Sequence, residues 1–197
     1  MIAVPNSISP KEYLDIERQT PIRHEYRRGL VYAMAGDTDN HDRIAQNLLY
    51  LINVKLRDSL DGRFYSGNVK VNYQDEFYYY PDAFVTCDSR DRGDRYVKRY
   101  PKFIAEVLSP STQTFDLGEK FTDYQKIETL EEYILISQET QRVECRRLTS
   151  ANTWETEVYG EGDRMVLKSL ALEFAIGELY LGMDPWILLR FNKNFYA

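Results

Sequence analysis

The sequence predicts an α/β fold in which a central mixed β-sheet is flanked by helices, and three observations carry that expectation. A long amphipathic stretch runs from about His41 to Asp58, where Ile44, Leu48, Leu51 and Ile52 recur at helical spacing and Ala45, Leu49 and Leu56 widen the stripe. Short apolar runs follow at 63–66, 70–73, 81–86 and 102–108, separated by polar or glycine-containing segments. A second helical pattern then precedes further strands, and this alternation of helices and strands is the layout of an α/β domain.

Taken in order, the elements have local signals. Ser9 suits an N-cap, with Pro10 at the first helical position and Glu12 three residues after the cap, so a short helix opens there. Residues 23–35 read as a β-hairpin with Gly29 near its turn, and 36–40 as a polar turn. The long helix ends before Gly62. The charged run "DSRDRGDRYVKRYP" between the strands 81–86 and 102–108 reads as a mobile loop. A second helix is expected over roughly 115–128, followed by strands at 132–137, 142–148 and 153–159. Residues 1–183 thus form one domain, and 184–197 are an apolar, aromatic tail.

Composition narrows the possibilities. The chain has 197 residues, 43% of them apolar, enough for one domain with a real core. A net charge of −6, from 25 basic and 31 acidic residues, argues against strong non-specific DNA affinity while leaving room for a local basic patch. No stretch reaches the ~20 apolar residues that span a bilayer, and no signal-peptide pattern opens the chain. Cys87 and Cys145 have neither metal-ligand nor disulfide-scaffold spacing. They read as reduced thiols, so the expected location is the cytoplasm.

Two segments carry chemistry. In "KFIAEVLSPST", Phe103, Ile104, Ala105, Val107 and Leu108 make a nearly continuous apolar run, as for a strand covered on both faces, yet Glu106 sits inside it. A carboxylate buried there must be paired, protonated or metal-bound. In "YYYPDAFVT", Pro81 and Asp82 stand at a strand entrance, where a carboxylate reaches solvent or metal, although taken alone a turn-capping aspartate is the commoner meaning of Pro-Asp. Two carboxylates on adjacent strands can share one hard divalent ion, Mg²⁺ or Mn²⁺.

Pro81-Asp82 followed by Glu106 on the next strand resembles the PD-(D/E)XK nuclease motif. More closely, the chain resembles the Uma-two family of restriction-endonuclease-like proteins. The matching segments are "HEYRRGLVYAMAG", His41, "YYYPDAFV", "FIAEVLSPST", and "DLGEKFTDY" followed by "LEEYILIS", covering roughly 8–181. The resemblance implies a restriction-endonuclease-like core, Asp82 and Glu106 as metal ligands and catalytic acids, Mg²⁺ or Mn²⁺ as cofactor, and DNA as substrate. One position departs from the motif: Leu108 stands where a lysine is expected. The resemblance points instead to Lys120. Spacing agrees, because Lys120 lies at the edge of the stripe formed by Leu117, Phe121 and Tyr124, from which its stem can reach along the sheet.

Further candidates are Glu25 as a third acid, His41 as a phosphate contact or base, and Tyr124 with Gln125 at the substrate. The basic loop with Arg95, Lys98 and Arg99 is a candidate phosphate contact. Each also has an ordinary structural role open to it: hairpin charge, helix cap, core edge, solvated loop. The expected function is metal-dependent endonucleolytic hydrolysis of DNA phosphodiesters. The alternative is a non-catalytic nucleic-acid-binding or regulatory protein on an inactivated nuclease fold. Trp186, Ile187, Leu188, Leu189 and Phe191 in the tail point to an interface. A homodimer is therefore expected, and its check is a dimeric rather than monomeric mass by light scattering at micromolar concentration.

Overall fold

In a computed structural model, residues 7–34, 36, 38–59, 61–110 and 112–183 are described. The tail at 184–197, and with it the basis of the homodimer expectation, lies outside the described residues. No helix among the described residues is long and apolar enough to cross a membrane.

The chain opens with α1 (Pro10–Gln19), where Ser9 and Glu12 exchange the two hydrogen bonds of a capping box. A hairpin follows, β1 (His24–Arg27) and β2 (Leu30–Ala33). Its two-residue turn has positive φ at both Arg28 and Gly29, the twist that suits antiparallel strands. A side chain at Gly29 would collide with the Ser7 side chain. Helix α2 (Asp39–Leu56) starts two residues earlier than its apolar stripe suggests, because Thr38 caps it through the backbone N–H of His41.

Then come β3 (Arg63–Ser66), β4 (Lys70–Tyr73), β5 (Phe77–Tyr79), β6 (Ala83–Thr86), β7 (Val97–Lys98) and β8 (Pro101–Leu108). A continuous helical run over 113–124, labelled α3, has a π-helical middle, Asp116–Lys120, between α-helical ends Gln113–Phe115 and Phe121–Tyr124. Strands β9 (Glu132–Ser137), β10 (Val143–Leu148), β11 (Trp154–Tyr159), β12 (Arg164–Leu167) and β13 (Leu172–Ala175) complete the fold, with a 3₁₀ turn at Ile176–Tyr180.

A six-stranded mixed sheet, ordered β11-β10-β9-β8-β6-β3, is the spine. Only β8 and β9 in it run parallel; the helical segment α3 makes the crossover between them. Alternation along its strands divides the core in two. Ala83, Val85, Phe103, Ala105, Val107, Ile134 and Ile136 face α2 and the β12–β13 hairpin. Phe84, Ile104, Tyr133 and Leu135 face α3 and the second sheet, ordered β2-β1-β5-β4-β7. The α/β expectation with a central mixed sheet holds, and most strand bounds agree within two residues.

The segment 88–101 differs from its sequence reading as a mobile loop. It wraps around the buried Asp91 carboxylate, which accepts from Thr86 Oγ1 (2.7 Å) and from the N–H groups of Arg99 (2.8 Å) and Tyr100 (3.1 Å). A 3₁₀ turn at Ser89–Arg92 and the pairing of β7 with β4 order the rest. Strand β5 was also not visible in the sequence. "FYY" lacks alternation because Phe77 and Tyr79 pack against α3 while Tyr78 packs under α1, so both faces are apolar.

Glu132 ties the C-terminal hairpin to the spine. It is 1% exposed and accepts from Arg147 Nε (2.7 Å) and from the N–H groups of Lys168 (3.0 Å) and Ser169 (2.8 Å). Removing it strands these donors in the core. Glu132→Ala is expected to lower the unfolding free energy by about 3 kcal/mol, read as a shift of the urea midpoint at unchanged slope.

Candidate active site

The site begins where β6 enters the sheet. Because Ala83 pairs with Ala105, Asp82 lies opposite Glu106 on the same face, one step beyond the last paired residues of the ladder. The Asp82 side chain continues the ladder in place of backbone, its Oδ2 accepting the Val107 N–H at 2.7 Å. His41 Nε2 lies 3.2 Å from the same oxygen, so Asp82 also links the sheet to the first turn of α2.

Glu106 is 4% exposed inside a strand covered on both faces. Its Oε1 accepts from the Tyr124 hydroxyl at 3.0 Å and lies 3.0 Å from Lys120 Nζ. The same ammonium lies 3.1 Å from Glu25 Oε1 and 3.5 Å from Asp116 Oδ1, and 5.3 Å from the Tyr79 ring centre. Glu25 is held in turn by the Tyr80 N–H at 2.9 Å. Three elements therefore meet: β1 supplies Glu25, β8 supplies Glu106, and α3 supplies Asp116 and Lys120. The π-helical turn of α3 carries both Asp116 and Lys120 inward, a widening that such turns provide at functional sites. Leu108, on the Glu106 face, packs among the apolar residues of that layer, and its carbonyl accepts from Gln138 Nε2 at 2.9 Å.

The electrostatics follow from burial and an unequal count. Burial pushes the Glu106 carboxyl well above its ordinary value; Lys120 opposes this, while Asp116, Asp82 and Glu25 reinforce it. Burial pulls Lys120 down, but Glu106, Glu25 and Asp116 together hold its ammonium well above the usual lysine range. One cation thus serves several carboxylates, and negative charge is in excess. Burial likewise holds the hydroxyls of Tyr124 and Tyr133 protonated, so Tyr124 is a fixed donor to Glu106.

Among the described residues no three His, Cys, Asp or Glu side chains form a ready metal cage. Mg²⁺ does not need one: it is held by one or two carboxylates with water and substrate phosphate completing the shell. The donors fit such an ion, being hard oxygens with surplus negative charge, and Asp82 keeps 18% of its side chain exposed.

The other sequence candidates fall elsewhere. Tyr124 is fully buried behind Glu106 and offers no surface to a substrate. The loop with Arg95, Lys98 and Arg99 leaves β6 after Thr86 and enters β8 at Pro101, the end of these strands opposite to Asp82 and Glu106. The connection is thus rooted at the far end of both strands, which counts against a basic loop beside the carboxylates. Lys98 is moreover buried, donating to the carbonyls of Asp91 (2.8 Å) and Asp94. Arg99 pairs with Asp94 at 3.2 Å, and Arg95 is exposed.

Asp123 was not recognised in the sequence. It is fully buried and joins Arg27 Nε (2.6 Å), Arg28 (3.0 Å), Lys126 (3.3 Å) and the Tyr79 hydroxyl (2.8 Å). This cluster clamps α3 to β1 and β5, and so sets where Lys120 meets Glu25. Three-residue spacing from Lys120 is its only sequence trace.

The sheet order, the helical flanks and the carboxylates at adjoining strand ends place the molecule in the restriction-endonuclease-like α/β class. A family model described as "Putative restriction endonuclease" (Uma2) matches residues 10–181, and the chain belongs to that family. It is 36% identical over 177 residues to the uncharacterized protein slr1290 of Synechocystis sp., covering 89% of this chain and 93% of that protein. It is 33% identical over 164 residues to the uncharacterized protein sll1609 of the same organism, covering 82% of this chain and 93% of that one. A crystal structure described as a putative nuclease belonging to DUF820, from Anabaena variabilis ATCC 29413, superposes with a TM-score of 0.73 at 20% identity, covering 91% of this chain and 99% of that one. At that identity the likeness is one of fold.

The raised Glu106 pKa sets a pH dependence. The folded protein binds a proton that the unfolded chain has released above its ordinary value near 4.5, so Glu106 lowers stability increasingly as pH rises from there. In metal-free buffer Glu106→Gln is therefore expected to be more stable than the parent at neutral pH. The difference should vanish near pH 4.5, as read by urea unfolding at the two pH values.

Proposed function

We propose that this protein is a divalent-metal-dependent nuclease that hydrolyses DNA phosphodiester bonds. The single observation that best supports the reading is the Lys120 ammonium 3.0 Å from Glu106, a cation at the acidic strand end although position 108 is leucine. Asp82 and Glu106 would hold Mg²⁺ or Mn²⁺ through carboxylate oxygens. Such an ion, when bound, supplies a water of lowered pKa and neutralises charge on the phosphate.

The remaining roles belong to this chain's own groups. Lys120, kept cationic by its carboxylate neighbours, would steady the attacking water or the scissile phosphate. Glu25 and Asp116 anchor the ammonium, and Tyr124 fixes the Glu106 oxygen. His41 bears on Asp82, which the Val107 N–H also holds. Water adds to phosphorus and one P–O bond breaks, its oxygen leaving with a proton. The alternative of an inactivated fold rests on Leu108, and a lysine reaching the same carboxylate from α3 weakens that ground.

The test is incubation of plasmid and short duplexes with Mn²⁺. Cleavage is expected from the parent and none from Glu106→Ala, while Lys120→Ala should be slower by about 10²–10³-fold, the usual loss for one preorganised transition-state partner. Mn²⁺ should raise the melting temperature of the parent but not of Glu106→Ala. Cleavage by Glu106→Ala at the parent rate would refute the assignment.

A further inference from the structure

Beside the carboxylate cluster, the second sheet presents an aromatic surface that neither metal binding nor hydrolysis uses. Tyr32 on β2 pairs directly with Glu25 on β1. Opposite residues of an antiparallel pair point to the same face with Cβ atoms about 5 Å apart. Glu25 spends that face on Lys120, 3.1 Å away, so Tyr32 stands on the site side of the sheet as its immediate neighbour. Strand β2 is the sheet edge, and Tyr32 remains 47% exposed.

The ring is not isolated. Its centre lies 6.4 Å from that of Phe115, the half-buried residue just before the π-helical turn of α3. Phe115 meets Tyr79 edge-on at 5.7 Å, and Tyr79 carries the Lys120 ammonium 5.3 Å above its ring. The Arg27 guanidinium lies 5.8 Å from the Phe115 centre. A row Tyr32–Phe115–Tyr79 thus runs from solvent to the ammonium. Its outer member has an open face and its inner members are fixed by packing. Tyr96 is more exposed, at 74%, but belongs to the segment at the opposite end of β8.

An exposed phenol ring on a sheet edge, beside the proposed metal and phosphate site, is an arrangement on which an unpaired base can stack. We infer that Tyr32, backed by Phe115, is a stacking platform for a nucleobase next to the scissile phosphate, so that the enzyme takes single-stranded or locally unpaired DNA in preference to intact duplex. This deepens the nuclease reading and rests on it. Bases inside a duplex have their faces covered by neighbours and cannot meet an edge-strand ring without unstacking, which costs a few kcal/mol per step.

The test uses the full chain, with Ca²⁺ in place of Mg²⁺, and fluorescence anisotropy of labelled oligonucleotides: a single strand, the same strand with one abasic nucleotide, and the matching duplex. The parent is expected to bind the single strand more tightly than the duplex. Tyr32→Ala should weaken single-strand binding about tenfold, the loss of one stacked base, and leave duplex binding unchanged. Tyr32→Phe should retain the parent affinity, and an abasic nucleotide at the contact should abolish the difference between parent and Tyr32→Ala. Equal urea midpoints for the variants establish that folding is intact. Unchanged single-strand affinity in Tyr32→Ala, or an equal loss on duplex, overturns the platform while leaving the nuclease reading standing. Absence of binding to every oligonucleotide by the parent overturns both.

Discussion

The structure is organised around one ammonium held among carboxylates. Lys120 is 4% exposed and meets Glu106, Glu25 and Asp116, so each of the three layers that converge there has an acid to contribute. A lone lysine buried at this depth would shed its proton; here three acids hold the ammonium, and the ammonium in turn moderates the rise that burial imposes on Glu106. The surrounding architecture serves that balance. Asp123 with Arg27 and Arg28 fixes the helix against the hairpin, Tyr80 orients Glu25, and Tyr124 orients Glu106.

The same balance explains why the acids outnumber the base. With one cation shared, the cluster keeps residual negative charge at the entrance of β6, where Asp82 is the member nearest to solvent. Buried carboxylates elsewhere in the chain look different: Glu132 is surrounded by donors alone, and Asp91 accepts from two backbone N–H groups and a hydroxyl.

Much of the fold was legible because local signals agreed with the tertiary outcome. The capping box at Ser9, the turn at Gly29 and the stripe of α2 each announce an element that packing then uses. Asp82 and Glu106 stood out because a carboxylate in an apolar strand is costly unless something answers it. What stayed hidden depends on pairing at long range. The two apolar faces of β5 look like a run of aromatics in sequence, and the charge-rich 88–101 segment looks solvated although Asp91 gathers it into the fold. Closeness in sequence misleads for the basic loop for a topological reason: residues that begin one strand and end its antiparallel partner lie away from where the connection is rooted. The π-helical turn has no compositional mark, since "DLGEK" reads as ordinary helix.

The origin of Lys120 on a helix has a consequence for how the molecule comes apart. In a sheet-borne site, acids and base would share one hydrogen-bonded unit and persist together through partial opening. Here they belong to separate units, β8 within the spine and α3 laid over it, held together by side-chain contacts and by the chain that links them. Sub-global opening that lifts α3 would leave the strand ladder protected against hydrogen exchange while dismantling the charge cluster. The complete charge cluster is therefore confined to the fully docked state, and a nascent or damaged copy with an intact sheet but a loose helix lacks it.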